Sequence, residues 1–188
     1  MPITLQSSDF INIGNVAKHC DLEKLNIAIN EAILFDLKPL LCELYYEVDT
    51  NWDAINGIWF NLITPIQFTG CNNKPKSHEG LKNMLIRYAY ARYIIINEFN
   101  DTPNGGVTKT NNFSIPKAYA DLKQISDRYR SMAFQIWKEI EGYICLNKEV
   151  YNTDSFDCSE CGCNGKCGGK TTSKGYGIKS TNITKYGL

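Results

Sequence analysis

Apolar residues recur along most of this chain at intervals of three and four, the spacing of an amphipathic helix. Leu22, Leu25, Ile29, Ala32, Ile33 and Leu37 form one such stripe, and Asp21 is placed to cap its start. Pro39 ends or restarts that helix, because proline has no N–H to continue the ladder. Leu40, Leu41, Leu44 and Tyr45 then carry a second apolar face to about Val48. A third, short helix is expected over Asp53–Leu62. Ser77 opens the next, with Gly80 early in it and Leu81, Met84, Leu85, Tyr88, Ala89, Arg92, Ile95, Ile96 and Phe99 in steps of three and four. The longest helix is expected from about Lys117, behind Ser114 and Pro116, to Leu146. Its stripe runs from Leu122 and Ile125 to Tyr143 and Ile144 and would span roughly 45 Å. At the start of the chain, Ile3 to Gln6 alternates, and Ser7-Ser8-Asp9 is read as a helix cap before Phe10 and Ile11.

Two stretches break this rhythm. Over residues 63–76, Ile66 and Phe68 alternate with polar neighbours among Gly70, Asn72, Asn73 and Pro75, which predicts a strand or hairpin between helices. Asn104-Gly105-Gly106 is a second hairpin signal, with Val107 to Thr110 as one arm. The expected fold class is mainly α: a helical bundle with a small β-hairpin excursion and an extended C-terminal tail.

Composition changes after Asn147, which divides the chain into a helical body, residues 1–148, and a Cys/Gly-rich basic arm, residues 149–188. Residues 151–188 hold seven of the fourteen glycines, and their only large aliphatic or Phe residues are Phe156, Ile178, Ile183 and Leu188. Such a segment buries too little apolar surface to offset its ordering entropy. It is expected to order on a partner surface or around a metal. The chain as a whole is neutral, with 20 Lys+Arg against 20 Asp+Glu. Residues 162–188, however, carry five lysines and no acid, which leaves −5 on residues 1–161. A basic tail on an acidic body suggests docking on an acidic surface, its own or a neighbour's. No basic n-region with an apolar core opens the chain, and no apolar run approaches the ~20 residues of a membrane span. Cys20, Cys42, Cys71 and Cys145 lie in apolar-periodic sequence, where a free thiol behaves as a small buried hydrophobe. The expectation is a protein made in a reducing cytoplasm.

The sharpest chemical cluster is Cys158, Cys161, Cys163 and Cys167. Four thiolates within ten residues can satisfy tetrahedral zinc, and a metal would fold a tail that lacks a core. The spacing differs from paired CxxC motifs, and the Cys-Gly-Cys step is tight for one centre, so free thiols or disulfides remain open. Residues 164–171, ending Gly169-Lys170-Thr171, match a phosphate loop except that Asn164 replaces its first glycine. The polar residues before it and the Gly-rich ones after it supply neither the strand nor the helix such a loop needs. His19 and His78 have no second histidine or nucleophile at useful spacing, and both are expected to be surface or capping residues. Arg87, Arg92, Arg128 and Arg130 can make inter-subunit bidentate pairs with carboxylates, and Arg92, which lies among apolar neighbours, is the one expected to be paired. No enzyme chemistry is expected.

Glu79–Tyr93, followed by Asp101–Asn111, resembles a family of virion proteins of Bacteroides phages, including crAss-like phages. Ala32–Tyr45, AILFDLKPLLCELY, and Tyr129–Phe134 agree with it. That family is similar to the helical head–tail connector, or adaptor, proteins of tailed phages. The resemblance implies a structural protein of the virion's head–tail interface, assembled in the host cytoplasm. It also implies a homo-oligomeric ring of about twelve copies, with the portal protein and adjacent tail or ring proteins as partners and packaged DNA passing through the lumen. No cofactor and no membrane are implied. By the same resemblance the 101–114 hairpin, with Asn104, Gly105, Gly106 and Lys109, is an inter-subunit or lumen-facing loop. Arg92 joins these as an interface residue. Lys170, Lys174, Tyr176, Lys179 and Tyr186 lie on an arm that clasps the portal or next ring. A reading from another class is a zinc-tail regulatory module that binds nucleic acid or protein through the +5 tail.

Overall fold

In the computed structural model, the structure describes residues 3–11, 13, 21–70, 73–102, 105–108 and 118–151. It is mainly α, a helical bundle with short antiparallel hairpins. The C-terminal arm from residue 152 onward, where an extended tail is expected, lies outside the described residues.

Three long helical segments make the bundle. Helix α1 (Leu22–Ala32) begins at Asp21, whose side chain accepts the Lys24 N–H as expected. Helix α5 (Gly80–Glu98) is the middle piece, packed against α1 on one side and α6 (Tyr119–Leu146) on the other. Its central place follows from its sequence, which is apolar around most of its circumference: Leu81, Met84, Leu85, Ala89 and Ala91 are all fully buried. Ala28 and Ala32 of α1 and Ala133 of α6 are also fully buried, and small side chains of this kind let neighbouring backbones come close. Ser126 crosses between helices, its hydroxyl donating to the Ala91 carbonyl at 2.8 Å.

Pro39 restarts the helix, standing in the first turn of a new α-helical segment. The backbone widens into a π-turn over Ile33–Leu37, where the Lys38 N–H reaches the Ile33 carbonyl five residues back, and continues as α2 (Lys38–Leu41). In an α-helix the proline ring would collide with the Phe35 carbonyl, and the wider turn relieves that clash. Cys42 then turns the chain at φ 50° and ψ −122°, and α3 (Leu44–Thr50) follows. The N-terminal segment lies against α3: the Ile3 N–H donates to Asp49 at 2.8 Å and the Trp52 indole donates to the Thr4 carbonyl at 3.0 Å. Ser7-Ser8-Asp9 does not cap a helix running from Phe10. These residues form a single 3₁₀ turn, Ser7–Phe10, with Gln6 as its cap and Asp9 closing the reciprocal bond to the Gln6 N–H.

Helix α4 (Gly57–Ile63) starts four residues later than expected, after the turn at Asn51–Asp53. The hairpin predicted over residues 63–76 is present as β1 (Ile66–Thr69) and β2 (Pro75–His78), antiparallel with Ile66 opposite His78. Ser77 is therefore a strand residue and not the start of α5. The helix begins at Gly80, where φ is +79° and a Cβ would lie 2.3 Å from the Ile63 carbonyl oxygen. Only glycine fits that crossing of α4 and α5. The second hairpin pairs β3 (Phe99–Thr102) with β4 (Gly105–Thr108). Gly105 and Gly106 lie within its second strand, opposite Thr102 and Asp101, and do not form the turn.

Helical structure continues past Asn147 as α7 (Lys148–Tyr151), whose Tyr151 is 1% exposed. The Tyr151 hydroxyl donates to the Ile58 carbonyl at 2.9 Å, and its ring meets Trp59 and Tyr143 edge-on. Two cysteines depart from the expected buried free thiol. Cys42 is free but exposed, and Cys145 is buried but disulfide-bonded. Cys20 and Cys71 lie outside the described residues.

Candidate docking groove

The π-turn carries both a buried and an exposed face. Leu34 and Phe35 stand outward, at 52% and 64% exposure, while Ile33 and Leu37 stay in the core. Opposite them α6 presents Phe134, itself 49% exposed. Between the two runs an open groove of about 520 Å³, walled by Phe35, Pro39 and Leu40 on one side and Ser131, Phe134 and Gln135 on the other. Tyr88 of α5 forms part of its lining. Burial raises the Tyr88 phenol to about 12, helped by the Asp36 carboxylate and opposed by Arg130, so the hydroxyl keeps its proton.

An ion network holds the groove's two walls to α5. The Arg92 Nε donates to Asp36 Oδ2 at 2.6 Å, and its Nη1 donates to Glu31 Oε2 at 3.0 Å. The other Asp36 oxygen accepts from Arg130 Nη1 on α6 at 3.3 Å. One nearly buried carboxylate is thus shared by two guanidinium groups from two different helices. Burial alone would lower the Arg92 pKa, but its bonds to Asp36 and Glu31 hold it above the usual value. The Arg92 guanidinium also lies 5.5 Å from the centre of the Phe35 ring, a cation–π distance. Such a network contributes little net stability, because desolvation offsets attraction, but it fixes one geometry among several. Here it fixes where Phe35 stands relative to Phe134.

A second cluster sits at the base of the bundle. His78 is 2% exposed, and its Nδ1 accepts the Gly80 N–H at 3.0 Å. It therefore caps α5, as one branch of the expectation had it, but from the core and not from the surface. Its ring lies between Phe68, at 5.8 Å, and Tyr143, at 4.8 Å. The Nε2 has no hydrogen-bond partner, and burial lowers the imidazole pKa to about 4. A histidine in this state is neutral and serves structure. Nearby, burial and the Glu79 carboxylate raise the Glu139 pKa, while Lys138 pairs with Glu141 at 2.7 Å.

Of the residues singled out from sequence, Arg92 is paired with carboxylates, and both of its partners, Glu31 and Asp36, belong to its own chain and not to another subunit. Gly105 and Gly106 lie in β4. Asn104, Lys109, Cys158, Cys161, Cys163, Cys167, Lys170, Lys174, Tyr176, Lys179 and Tyr186 lie outside the described residues. Among the described residues no group of three or more His, Cys, Asp or Glu side chains is placed to hold a metal. Sequence reading missed Asp36, Phe35 and Phe134. The signal for Phe35 and Phe134 was a large aromatic lying off the apolar stripe of its own helix.

No helix of the described residues is long and apolar enough to cross a membrane. No curated protein and no solved structure matches the chain. One family model matches residues 37–165, from the end of the π-turn through α7 and beyond. With that span, more than half of its length, the chain belongs to the family of unknown function designated DUF6712.

Proposed function

We propose that this chain is a non-enzymatic structural protein of a phage particle, a ring subunit of the head–tail connector that joins portal to tail. The observation that carries the reading is the open groove between the π-turn and α6. A helical body whose centre is tightly filled nevertheless leaves Phe35 and Phe134 lining one open groove, beside the Arg92–Asp36–Arg130 network. Apolar side chains beside an ion network fit a surface built to receive another protein. Other large apolar residues are exposed elsewhere, among them Ile55 at 86% and Ile11 at 76%, which suits a subunit with neighbours on more than one side. The resemblance of Glu79–Tyr93 and Asp101–Asn111 to connector-type virion proteins supplies the particular assembly.

Sedimentation of the purified full-length chain over a concentration series tests the reading, together with mass spectrometry of virions. The expected result is a closed oligomer of many copies and the presence of the chain in particles. A chain that stays monomeric at high concentration and is missing from virions would overturn it.

A further inference from the structure

We propose that the groove between the π-turn and α6 receives Phe156 of a neighbouring copy, with Asp154 and Asp157 flanking it beside Arg130. The inference rests on the ring reading above and names what fills its groove.

The groove asks for a particular chemistry. Its walls at Phe35, Leu40 and Phe134 suit one large apolar side chain. Arg130 on the same surface is 40% exposed and donates one N–H to Asp36, at the long distance of 3.3 Å. A guanidinium has five N–H donors in a planar fork that suits carboxylates. The matching ligand is therefore an aromatic or aliphatic residue with acids beside it. Residues 152–161 supply that pattern: Asp154, Asp157 and Glu160 with no Lys or Arg, net −3, around a single large apolar residue other than cysteine, Phe156. The lysines of residues 162–188 would instead bring like charge to Arg130.

Geometry favours the neighbour over the chain's own copy. Tyr151 is fixed beside Ile58, Trp59 and Tyr143. From Tyr151 to Phe156 a fully extended chain spans at most ~17 Å. Along α6, the nine residues from Tyr143 to Phe134 rise ~14 Å and turn through two and a half turns, which places them on opposite faces. Rise and half-turn combine into a surface path of ~20 Å round a helix ~10 Å across. A chain's own Phe156 enters its own groove only as a fully extended chain wrapped round α6, whereas the same residue arriving from an adjoining subunit needs no such path. Contacts of this head-to-tail kind close rings.

The test is sedimentation velocity on the full-length chain, wild type against Phe156→Ala, Phe134→Ala and the double variant, over a common concentration range. Each single change is expected to weaken self-association about tenfold or more, as removal of a buried aromatic anchor does. The double change is expected to add little, since both remove one contact. Arg130→Glu should weaken assembly as well, and combining it with Asp154→Lys and Asp157→Lys should restore it. Circular dichroism should show every variant folded, because Phe134 is half exposed, Arg130 is 40% exposed and Phe156 follows the last described helix in the sequence. If the wild type assembles and Phe156→Ala assembles equally well, the docking of Phe156 is wrong and the ring stands. A wild type that never associates overturns both.

Discussion

The buried imidazole of His78 makes the stability of this protein depend on mild acid in a way that can be worked out in advance. In the unfolded chain His78 titrates near the ordinary histidine value of 6.5, and in the folded chain burial lowers it to about 4. The unfolded state therefore takes up the proton first. The contribution of this residue is complete above pH 6.5, falls as pH drops, and is lost below pH 4. The full difference amounts to about 3 kcal/mol, and the part lost between pH 7 and pH 5 to about 2 kcal/mol. The perturbation is His78→Phe, which keeps a ring between Phe68 and Tyr143 but cannot titrate. At pH 7 the variant should be less stable by about 1 kcal/mol, because the Gly80 N–H loses its acceptor. Urea unfolding followed by circular dichroism at pH 7, 6 and 5 measures both proteins. Carboxylate titrations are common to the two, so the decisive quantity is the difference in their losses. The wild type should lose about 2 kcal/mol more than the variant between pH 7 and pH 5. Equal losses would refute the reasoning, since they would mean that His78 is not held neutral by its surroundings.

Four further outcomes follow from other sites. Gly80→Ala should destabilise by more than about 2 kcal/mol in the same urea assay, because it combines a φ of +79° with a Cβ 2.3 Å from the Ile63 carbonyl oxygen. Cys42→Gly should raise stability by about 1 kcal/mol, because φ 50° with ψ −122° is a region open to glycine and strained for cysteine. A neutral or destabilising result there would mean that the exposed thiol makes a contribution beyond its bond to the Pro39 carbonyl. Asp36→Ala should cost about 2–3 kcal/mol, less than for a fully buried pair because Arg130 is partly exposed, by leaving two guanidinium groups without their shared carboxylate. Arg130→Ala, which leaves the Arg92 pair intact, should cost under about 1 kcal/mol in the same denaturant series.

Much of the fold was legible because the long stripes have only one way to be buried. Leu122, Ala133, Ile136, Trp137, Ile140 and Ile144 lie on one face at any helical register, and all are buried. Asp21 and the Ile66/Phe68 alternation were legible for the same local reasons of capping and period. What failed was set by tertiary context. His78 has a polar neighbourhood in sequence and is buried only because β2 lays it between Phe68 and Tyr143. Cys145 follows the helical stripe like any small apolar residue, so nothing local distinguishes a thiol from half of a disulfide. Arg92 was legible as paired, but its partners lie 56 and 61 residues away, and spacing alone cannot name them.

The seating of Tyr151 bears on how this protein would answer to tension. Any pull on residues beyond 151 first meets a phenol bonded to the Ile58 carbonyl and wedged against Trp59 and Tyr143. The strain is then shared between α4 and α6 at once, so the side chain must slide out across two helices before the last turn of α6 can peel. A fastening loaded in shear resists force better than one unzipped bond by bond, and a tail rooted in this way can be tugged without unravelling the helix it leaves.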